Sequence, residues 1–283
     1  MTMHFGINTF LFTSPFTNRS ARLFPQFRKW GFDSVEIAVE RPEHIDPKHI
    51  KVQLDKHGLV AGTLCACFPP SRDLRGTTQQ QRECKTYVRR LIEMMPELDC
   101  PTLIGPLYSA TGRASMVEPK ERRTQWRTVA GNLKEICAVA EDHGRQIAME
   151  PLNRFETDFL NTVDQGLELI ADVGSPALKL LLDTFHMNIE EKDTPAAIRK
   201  AGAHVAHFHA CGSDRGTPGN DHTDWPGIQK ALRDIRYKGD VVIESFTPDV
   251  KVIARAAAIW RRMEPTREEI AVNGLKFLKK NLK

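Results

Sequence analysis

The sequence has few of the features that mark a membrane protein, an exported protein or a nucleic-acid-binding protein. No apolar run approaches the ~18 residues needed to span a bilayer, and the start MTMHFGINTF lacks the basic segment and long apolar segment of a signal peptide. None of the 6 cysteines forms a CxxC pair. The 40 basic and 36 acidic residues leave a formal net charge of +4, too small to indicate nucleic-acid binding. We therefore expect a reduced, cytoplasmic protein with no membrane or nucleic-acid partner.

What the sequence does contain is a regular alternation of short apolar runs and longer amphipathic runs. Eight strand candidates alternate with about eight helical patterns over 283 residues, a length typical of a (β/α)₈ barrel. Most apolar runs lack period-two polarity, as expected for strands buried on both faces. No linker-like or low-complexity run interrupts the alternation. The sequence therefore predicts an α/β fold in which residues 1–283 form a single TIM-barrel domain.

Four of the apolar runs end in a potential metal ligand. They are QIAME with Glu150, LKLLLD with Asp183, HVAHFH with His209 and DVVIE with Glu244. An apolar run capped by a polar residue is typical of a buried parallel strand that ends at a functional rim. Four such ends must converge, which a closed barrel achieves more naturally than the alternative, a doubly wound open sheet. Two Glu, one Asp and one His suit a hard cation such as Mn²⁺, Mg²⁺ or Co²⁺ better than structural zinc.

The segments after the first two of these strands carry further polar residues. In EPLNRFET, Glu156 is suited to accept hydrogen bonds from sugar hydroxyls, although a loop salt bridge between Arg154 and Glu156 is the alternative. In DTFHMNIEE, His186 follows Asp183 by three positions in a predicted loop. Either residue or both could hold the metal.

The segment HVAHFHACGSDRG supplies a histidine pair and an arginine. His207 and His209 share one face of the strand, and only His209 lies at the rim, so His207 is predicted to bond inside the barrel. Arg215 either clamps a substrate oxygen or pairs with Asp214 or Asp221.

Two of the strand-end carboxylates could act as a pair of bases. Glu150 and Glu244 end the fifth and eighth predicted strands, so they approach a shared metal from different sides. One would remove a proton from a carbon next to a carbonyl while the metal stabilises the enediolate oxygen, and the other would return a proton on the opposite face.

At these residues the chain resembles the D-tagatose/D-psicose (D-allulose) 3-epimerase family, a group of xylose-isomerase-like TIM barrels. The resemblance covers essentially the whole chain and is strongest from Ala148 to Glu244. The densest matches are NRFE at Asn153–Glu156 and LDTFHMNIEE at Leu182–Glu191. The second of these is the more specific.

The resemblance implies a role for each matching residue. Glu150, Asp183, His209 and Glu244 would bind one divalent metal, Mn²⁺ in the first place with Co²⁺ or Mg²⁺ as alternatives. Glu150 and Glu244 would also be the catalytic acid/base pair acting at C3 of a free ketose. Three residues would bind the C1–C2 end of the substrate: Glu156, His186 and Arg215. A homodimer or homotetramer is implied as well.

The N-terminal half departs from the family pattern where the C4–C6 end of the sugar is contacted. Cys65, after the third strand, and Tyr108, after the fourth, are the predicted substrate-binding residues there, with ordinary packing as the alternative. The fourth loop lacks a tryptophan that some members place there and carries Arg113 instead. The preferred ketose therefore stays open.

Other functions remain as alternatives. The same chemistry would serve a sugar isomerase, or an isomerase or lyase that forms an enolate from a 3-keto sugar or a glycoside. A hydrolase of the endonuclease IV type would need several metals and a basic groove. A non-catalytic carbohydrate-binding subunit would be expected to lack at least one ligand. The helical patterns VIARAAAIWRRM and REEIAVNGLKFLKKNL complete the chain, and Ala256–Trp260 offers a helical face compatible with an interface or with core packing.

Overall fold

The fold is a closed barrel of eight parallel strands, each hydrogen-bonded to the next, with the last strand paired to the first. The structure is a computed structural model that describes residues 3–282. The strands are β1 (Phe5–Asn8), β2 (Ser34–Val39), β3 (Val60–Ala66), β4 (Thr102–Gly105), β5 (Gln146–Met149), β6 (Leu178–Asp183), β7 (Val205–Ala210) and β8 (Val241–Ile243). The predicted TIM barrel is confirmed.

Helices connect the strands and surround the barrel. They are α1 (Phe24–Trp30), α2 (Pro47–Lys56), α3 (Thr78–Leu98), α4 (Pro119–Asp142), α5 (Val163–Val173), α6 (Thr184–Glu190), α7 (Thr194–Ala201), α8 (Trp225–Asp234), α9 (Lys251–Ala256) and α10 (Arg267–Asn281). Short 3₁₀ turns lie at Thr9–Leu11, Asn18–Leu23, Pro42–His44 and Gly202–His204. Within residues 3–282, no helix combines the length and the apolar character that crossing a bilayer requires.

Two predictions of local structure are wrong, one of a loop and one of a helix. The segment after β6 is not a loop, because Asp183 accepts a hydrogen bond from the Phe185 amide and caps a helix that begins at Thr184. The tail pattern VIARAAAIWRRM is helical only to Ala256, since Ala258 has a left-handed φ of 54°. Trp260 lies beyond this helix and is exposed, so Ala256–Trp260 does not form a helical face.

Two layers of apolar side chains hold the architecture together. The larger core packs the outer faces of the strands against the helices, and includes Leu91 and Leu133 from α3 and α4. Inside the barrel, neighbouring strands pair Ala38 with Cys65, Cys65 with Ile104, and Ile104 with Ala148.

Candidate active site

The structure brings the four predicted metal ligands together at the carboxyl end of the barrel. Glu150 directly follows β5, Asp183 ends β6, His209 lies near the end of β7, and Glu244 directly follows β8. All four are buried, and one donor atom from each lies within 4.8 Å of the others. His209 Nδ1 is 3.7 Å from Glu150 Oε1, 3.8 Å from Asp183 Oδ2 and 3.5 Å from Glu244 Oε2.

The backbone explains why these side chains converge. Asp183 and His209 are direct register partners on adjacent parallel strands, so both point into the barrel. The amide of Glu150 donates to the carbonyl of Gly105 at the end of β4. Gly105 has a φ of 131°, and a Cβ there would lie 2.8 Å from the carbonyl oxygen of Ala66. Only glycine therefore lets the chain make this turn beside Glu150.

The unpaired atoms of this cluster fit a divalent cation. Glu150 Oε1, Asp183 Oδ2 and His209 Nδ1 are buried and have no hydrogen-bond partner among the described residues. Buried polar atoms are normally paired, because leaving one unpaired costs about 1–3 kcal/mol. Carboxylate oxygens with one imidazole nitrogen are the ligands that Mn²⁺, Mg²⁺ or Co²⁺ accept. The cluster therefore has the residue composition of a metal site, and its unpaired donor atoms are free to bind a cation.

The electrostatics of the cluster agree with that interpretation. Burial, together with the neighbouring charges of Glu244 and Asp183, raises the pKa of Glu150 to about 8. Burial alone would lower the pKa of His209, but Glu36 and Glu244 raise it well above its ordinary value. Crowded carboxylates thus stabilise positive charge at this point.

His186 lies in α6 and directs a ring nitrogen toward the same cluster. The backbone amide of Asn153 donates to His186 Nδ1 at 3.0 Å, so in the neutral ring the proton is on Nε2. Nε2 lies 3.7 Å from Glu150 Oε1 and has no hydrogen-bond partner. Burial lowers the pKa of His186, which favours this neutral form. Of the two residues left open as ligands, Asp183 therefore presents a free lone pair and His186 presents an N–H.

Arg215 connects two of the predicted site carboxylates. Its guanidinium donates to Glu156 Oε1 at 2.9 Å and to Glu244 Oε2 at 3.2 Å, rather than to the two aspartates that the sequence suggested. It lies between the rings of Phe185 and Phe246, 4.6 Å from each ring centroid. Its Nε has no hydrogen-bond partner in the part of the chain that the structure describes. A buried donor is thus available to a ligand.

The Arg154–Glu156 pair considered from the sequence does not form. Arg154 pairs with Glu190 instead, at 3.0 Å. Glu156 accepts from Asn153 and Arg215. Although burial alone would raise the pKa of Glu156, Arg215 lowers it. Its carboxylate is thereby kept charged beside Arg215.

The two predicted contacts of the N-terminal half have different positions. The sulfur of Cys65 groups with carboxylate oxygens of Glu36 and Glu244 within 4.8 Å, so it lies beside the cluster. Tyr108 is fully buried, and its hydroxyl donates to the backbone carbonyls of Glu150 and Leu160. The hydroxyl of Tyr108 therefore supports the backbone of Glu150, and its contact with a substrate stays a prediction.

Arg113 is engaged with a neighbouring loop. Its guanidinium pairs with Asp73 at 2.8 Å, and its backbone forms a bridge with Thr157. It thus joins the loops that follow β3, β4 and β5.

Two buried residues beneath the cluster, Asn8 and Glu36, were not among the predicted site residues. Glu36 lies in β2 and is fully buried, in contact with His207 and His209. Asn8 ends β1 and donates to both Glu36 and Glu244. One signal could have identified Glu36, because it is a charged residue in the middle of the apolar run SVEIA. A carboxylate in a strand buried on both faces needs partners inside the barrel.

Comparisons with known proteins agree with this geometry. The family described as xylose isomerase-like TIM barrel matches residues 24–281. The chain is 40% identical over 278 residues to a probable ketose 3-epimerase of Synechocystis sp., covering 97% of this chain and 95% of that protein. It is 32% identical over 248 residues to a D-psicose 3-epimerase of Enterocloster bolteae, covering 86% and 82%. The crystal structure of a D-allulose 3-epimerase from Methylomonas sp. superposes with a TM-score of 0.92 at 26% identity, covering 99% and 98%.

Proposed function

The chain belongs to the xylose isomerase-like TIM barrel family and, within it, to the ketose 3-epimerases, and from this premise we propose that it interconverts the C3 epimers of free ketoses with a bound divalent metal. One observation carries the proposal. Glu150 and Glu244 reach one cluster from different strands, and both lie beside His209.

Glu150, Asp183, His209 and Glu244 would hold the cation, with Mn²⁺ as the first candidate and Co²⁺ or Mg²⁺ as alternatives. When bound, such a cation supplies Lewis-acid stabilisation of the negative charge that develops on the substrate oxygens during proton removal. The donor atoms of three of these residues that lack a hydrogen-bond partner among the described residues support the assignment.

Glu150 and Glu244 would exchange the proton at C3. They stand at the ends of β5 and β8, so a ketose between them presents opposite faces of C3 to the two carboxylates. One carboxylate accepts the proton to leave a cis-enediolate, and the other donates a proton to the opposite face. The product is the C3 epimer, and the two residues exchange roles in the reverse reaction.

Three residues would orient the C1–C2 end of the substrate. His186 Nε2 and Arg215 Nε are buried donors that lack partners, and both suit the carbonyl and hydroxyl oxygens of a ketose. Glu156, held by Asn153 and Arg215, is suited to accept from a hydroxyl on the O1 side. Cys65 would contact the distal part of the sugar, beside Glu244.

Deuterium incorporation at C3 of fructose, psicose, tagatose and sorbose in D₂O tests the function. It is measured with Mn²⁺ and with EDTA, on the wild type and on Glu150→Gln and Glu244→Gln. Exchange at C3 with formation of the epimer, lost with EDTA and in both variants, is the expected result. Glu40→Gln is the matched control, because Glu40 follows β2 as a strand-end glutamate but binds Ser14 and the Phe16 amide.

Other outcomes identify other reactions. Exchange at C1 of the ketose, with deuterium at C2 of the aldose that forms, would indicate a sugar isomerase. Metal binding without exchange on any free ketose would instead indicate a 3-keto sugar or glycoside substrate. Family resemblance also implies a homodimer or homotetramer, which size-exclusion chromatography with light scattering would measure.

A further inference from the structure

Beneath the metal-ligand cluster lies a buried carboxylate that none of the proposed chemistry uses. Glu36 is fully buried in β2 and has no Lys or Arg among its contacts within residues 3–282. A charge in this environment is costly unless it is well compensated. Side chains from three other strands converge on it: Asn8, Thr63, His207 and His209.

Each oxygen of Glu36 has a separate set of partners. Oε1 lies 2.6 Å from Asn8 Nδ2 and 2.9 Å from His209 Nε2. Oε2 lies 2.5 Å from Thr63 Oγ1 and 2.7 Å from His207 Nε2, the latter a close contact that is not aligned as a hydrogen bond. Since an ionised carboxylate only accepts, the aligned groups must all donate.

This arrangement decides which nitrogen of His209 is free. If Nε2 carries the proton donated to Glu36, Nδ1 presents its lone pair to the cluster. Nδ1 is the atom that faces Glu150, Asp183 and Glu244, and it has no hydrogen-bond partner in the described range 3–282. A carboxylate behind a ligating histidine holds the ring in position and increases its affinity for the metal.

Asn8 connects the same carboxylate to one of the two proposed bases. Its Oδ1 accepts from the Phe10 amide at 2.8 Å, which directs the Nδ2 group toward the two carboxylates. Nδ2 donates to Glu36 Oε1 and, at 3.1 Å, to Glu244 Oε1. Within residues 3–282, Oε1 of Glu150 has no such bridge, because it has no hydrogen-bond partner there. The two bases are therefore held differently.

We propose that Asn8 and Glu36 form a positioning unit, in which Glu36 sets the ligating nitrogen of His209 and Asn8 holds Glu244 in its proton-transfer orientation. The unit rests on the proposed function, because it assigns a role toward the same metal and the same base pair. Neither residue is a catalytic residue, since both act through another side chain.

Metal affinity tests the role of Glu36 without reference to turnover. Mn²⁺ binding is measured by electron paramagnetic resonance on wild type and on Glu36→Gln, which keeps the side-chain volume and removes the charge. Glu36→Gln should bind Mn²⁺ about 10- to 100-fold more weakly. Asn132→Ala is the matched control, because Asn132 is also buried and loses hydrogen bonds to Leu74 and Gln81 far from the cluster. Unchanged affinity in Glu36→Gln would overturn the assignment, whereas no Mn²⁺ binding by wild type would refute the metal site itself.

A spectroscopic signature tests the same point if Glu36→Gln fails to fold. Long-range ¹H–¹⁵N correlation of wild type with Mg²⁺ distinguishes the two histidine tautomers. The His209 signals are assigned by their loss in His209→Asn. Protonation at Nε2 is expected, and protonation at Nδ1 would overturn the proposal.

The role of Asn8 is tested by comparing how readily Glu150 and Glu244 exchange their protons with solvent. In D₂O, the ratio of deuterium at C3 in recovered substrate to that in the product epimer reports how each carboxylate exchanges its proton. Asn8→Ala should change this ratio by about 2- to 10-fold. The substitution removes a hydrogen bond from Glu244 but none from Glu150, the other proposed base. Asn132→Ala should leave it unchanged. An unchanged ratio in Asn8→Ala would refute the bridge, and no exchange in wild type would refute the proposed function.

Discussion

Arg215→Lys tests whether the site depends on the planar fork of an arginine or only on its positive charge. Arg215 donates to Glu156 and Glu244 at once and lies between two aromatic rings. A lysine keeps the charge but is a compact point donor, so we expect it to reach only one of the two carboxylates. The change therefore removes one charge-assisted hydrogen bond from a buried site.

The size of the effect follows from that loss. A hydrogen bond to a charged group contributes about 1.5–3 kcal/mol, and about 1.4 kcal/mol corresponds to a tenfold change in rate. We therefore expect kcat/KM for C3 epimerisation to fall by about 10- to 150-fold. Steady-state kinetics on the preferred ketose, with Mn²⁺ present, measures it.

Arg122→Lys is the control for this substitution. Arg122 also lies over aromatic rings, those of Trp126 and Phe159, and donates to backbone carbonyls rather than to a site carboxylate. It should change kcat/KM by less than about threefold. If Arg215→Lys behaved like this control, the requirement for a guanidinium bridge would be refuted.

Three further changes test the metal ligand, the backbone and its support. Asp183→Asn should keep the hydrogen bond to the Phe185 amide, because asparagine also caps helices. It should abolish the rise in unfolding temperature that Mn²⁺ causes in the wild type. An undiminished rise would contradict the role of Asp183 as a metal ligand. Gly105→Ala should lower the free energy of unfolding by about 1–3 kcal/mol in urea titrations. The control, Gly131→Ala, lies at an exposed and open position in α4 and should raise that free energy by about 0.5–1 kcal/mol. Equal effects of the two substitutions would show that the positive φ and the close contact at Gly105 are unimportant. Tyr108→Phe removes the hydroxyl that donates to the carbonyls of Glu150 and Leu160. The free energy of unfolding should therefore fall by about 1–2 kcal/mol in the same titrations. An unchanged value would mean that these hydrogen bonds contribute nothing to stability.

The sequence alone determined the barrel and the metal-ligand candidates, because both depend on periodicity. Buried parallel strands are short apolar runs, and the residue that closes each run stands at the carboxyl rim whatever the rest of the chain does. Glu150, Asp183, His209 and Glu244 could therefore be placed together before any contact was known, and the structure brings their donor atoms within 4.8 Å.

The partners of these residues depended on contacts between distant segments. The sequence left Arg215 between a substrate oxygen and a nearby aspartate, whereas the folded barrel brings it to Glu156 and Glu244. Tyr108 follows β4 like a rim residue, yet its ring is buried against Phe159.

The clearest difference is Glu36, which is separated by 173 positions from His209, the residue whose ring it orients in our proposal. Local pattern reports which face of a strand is buried, but not which side chain lies opposite across a closed barrel. Only closure of β8 onto β1 brings Asn8, Glu36 and Glu244 together, since Asn8 and Glu244 come from the two ends of the chain. The rim residues follow from the sequence, and the hydrogen bonds that orient them follow from the tertiary structure.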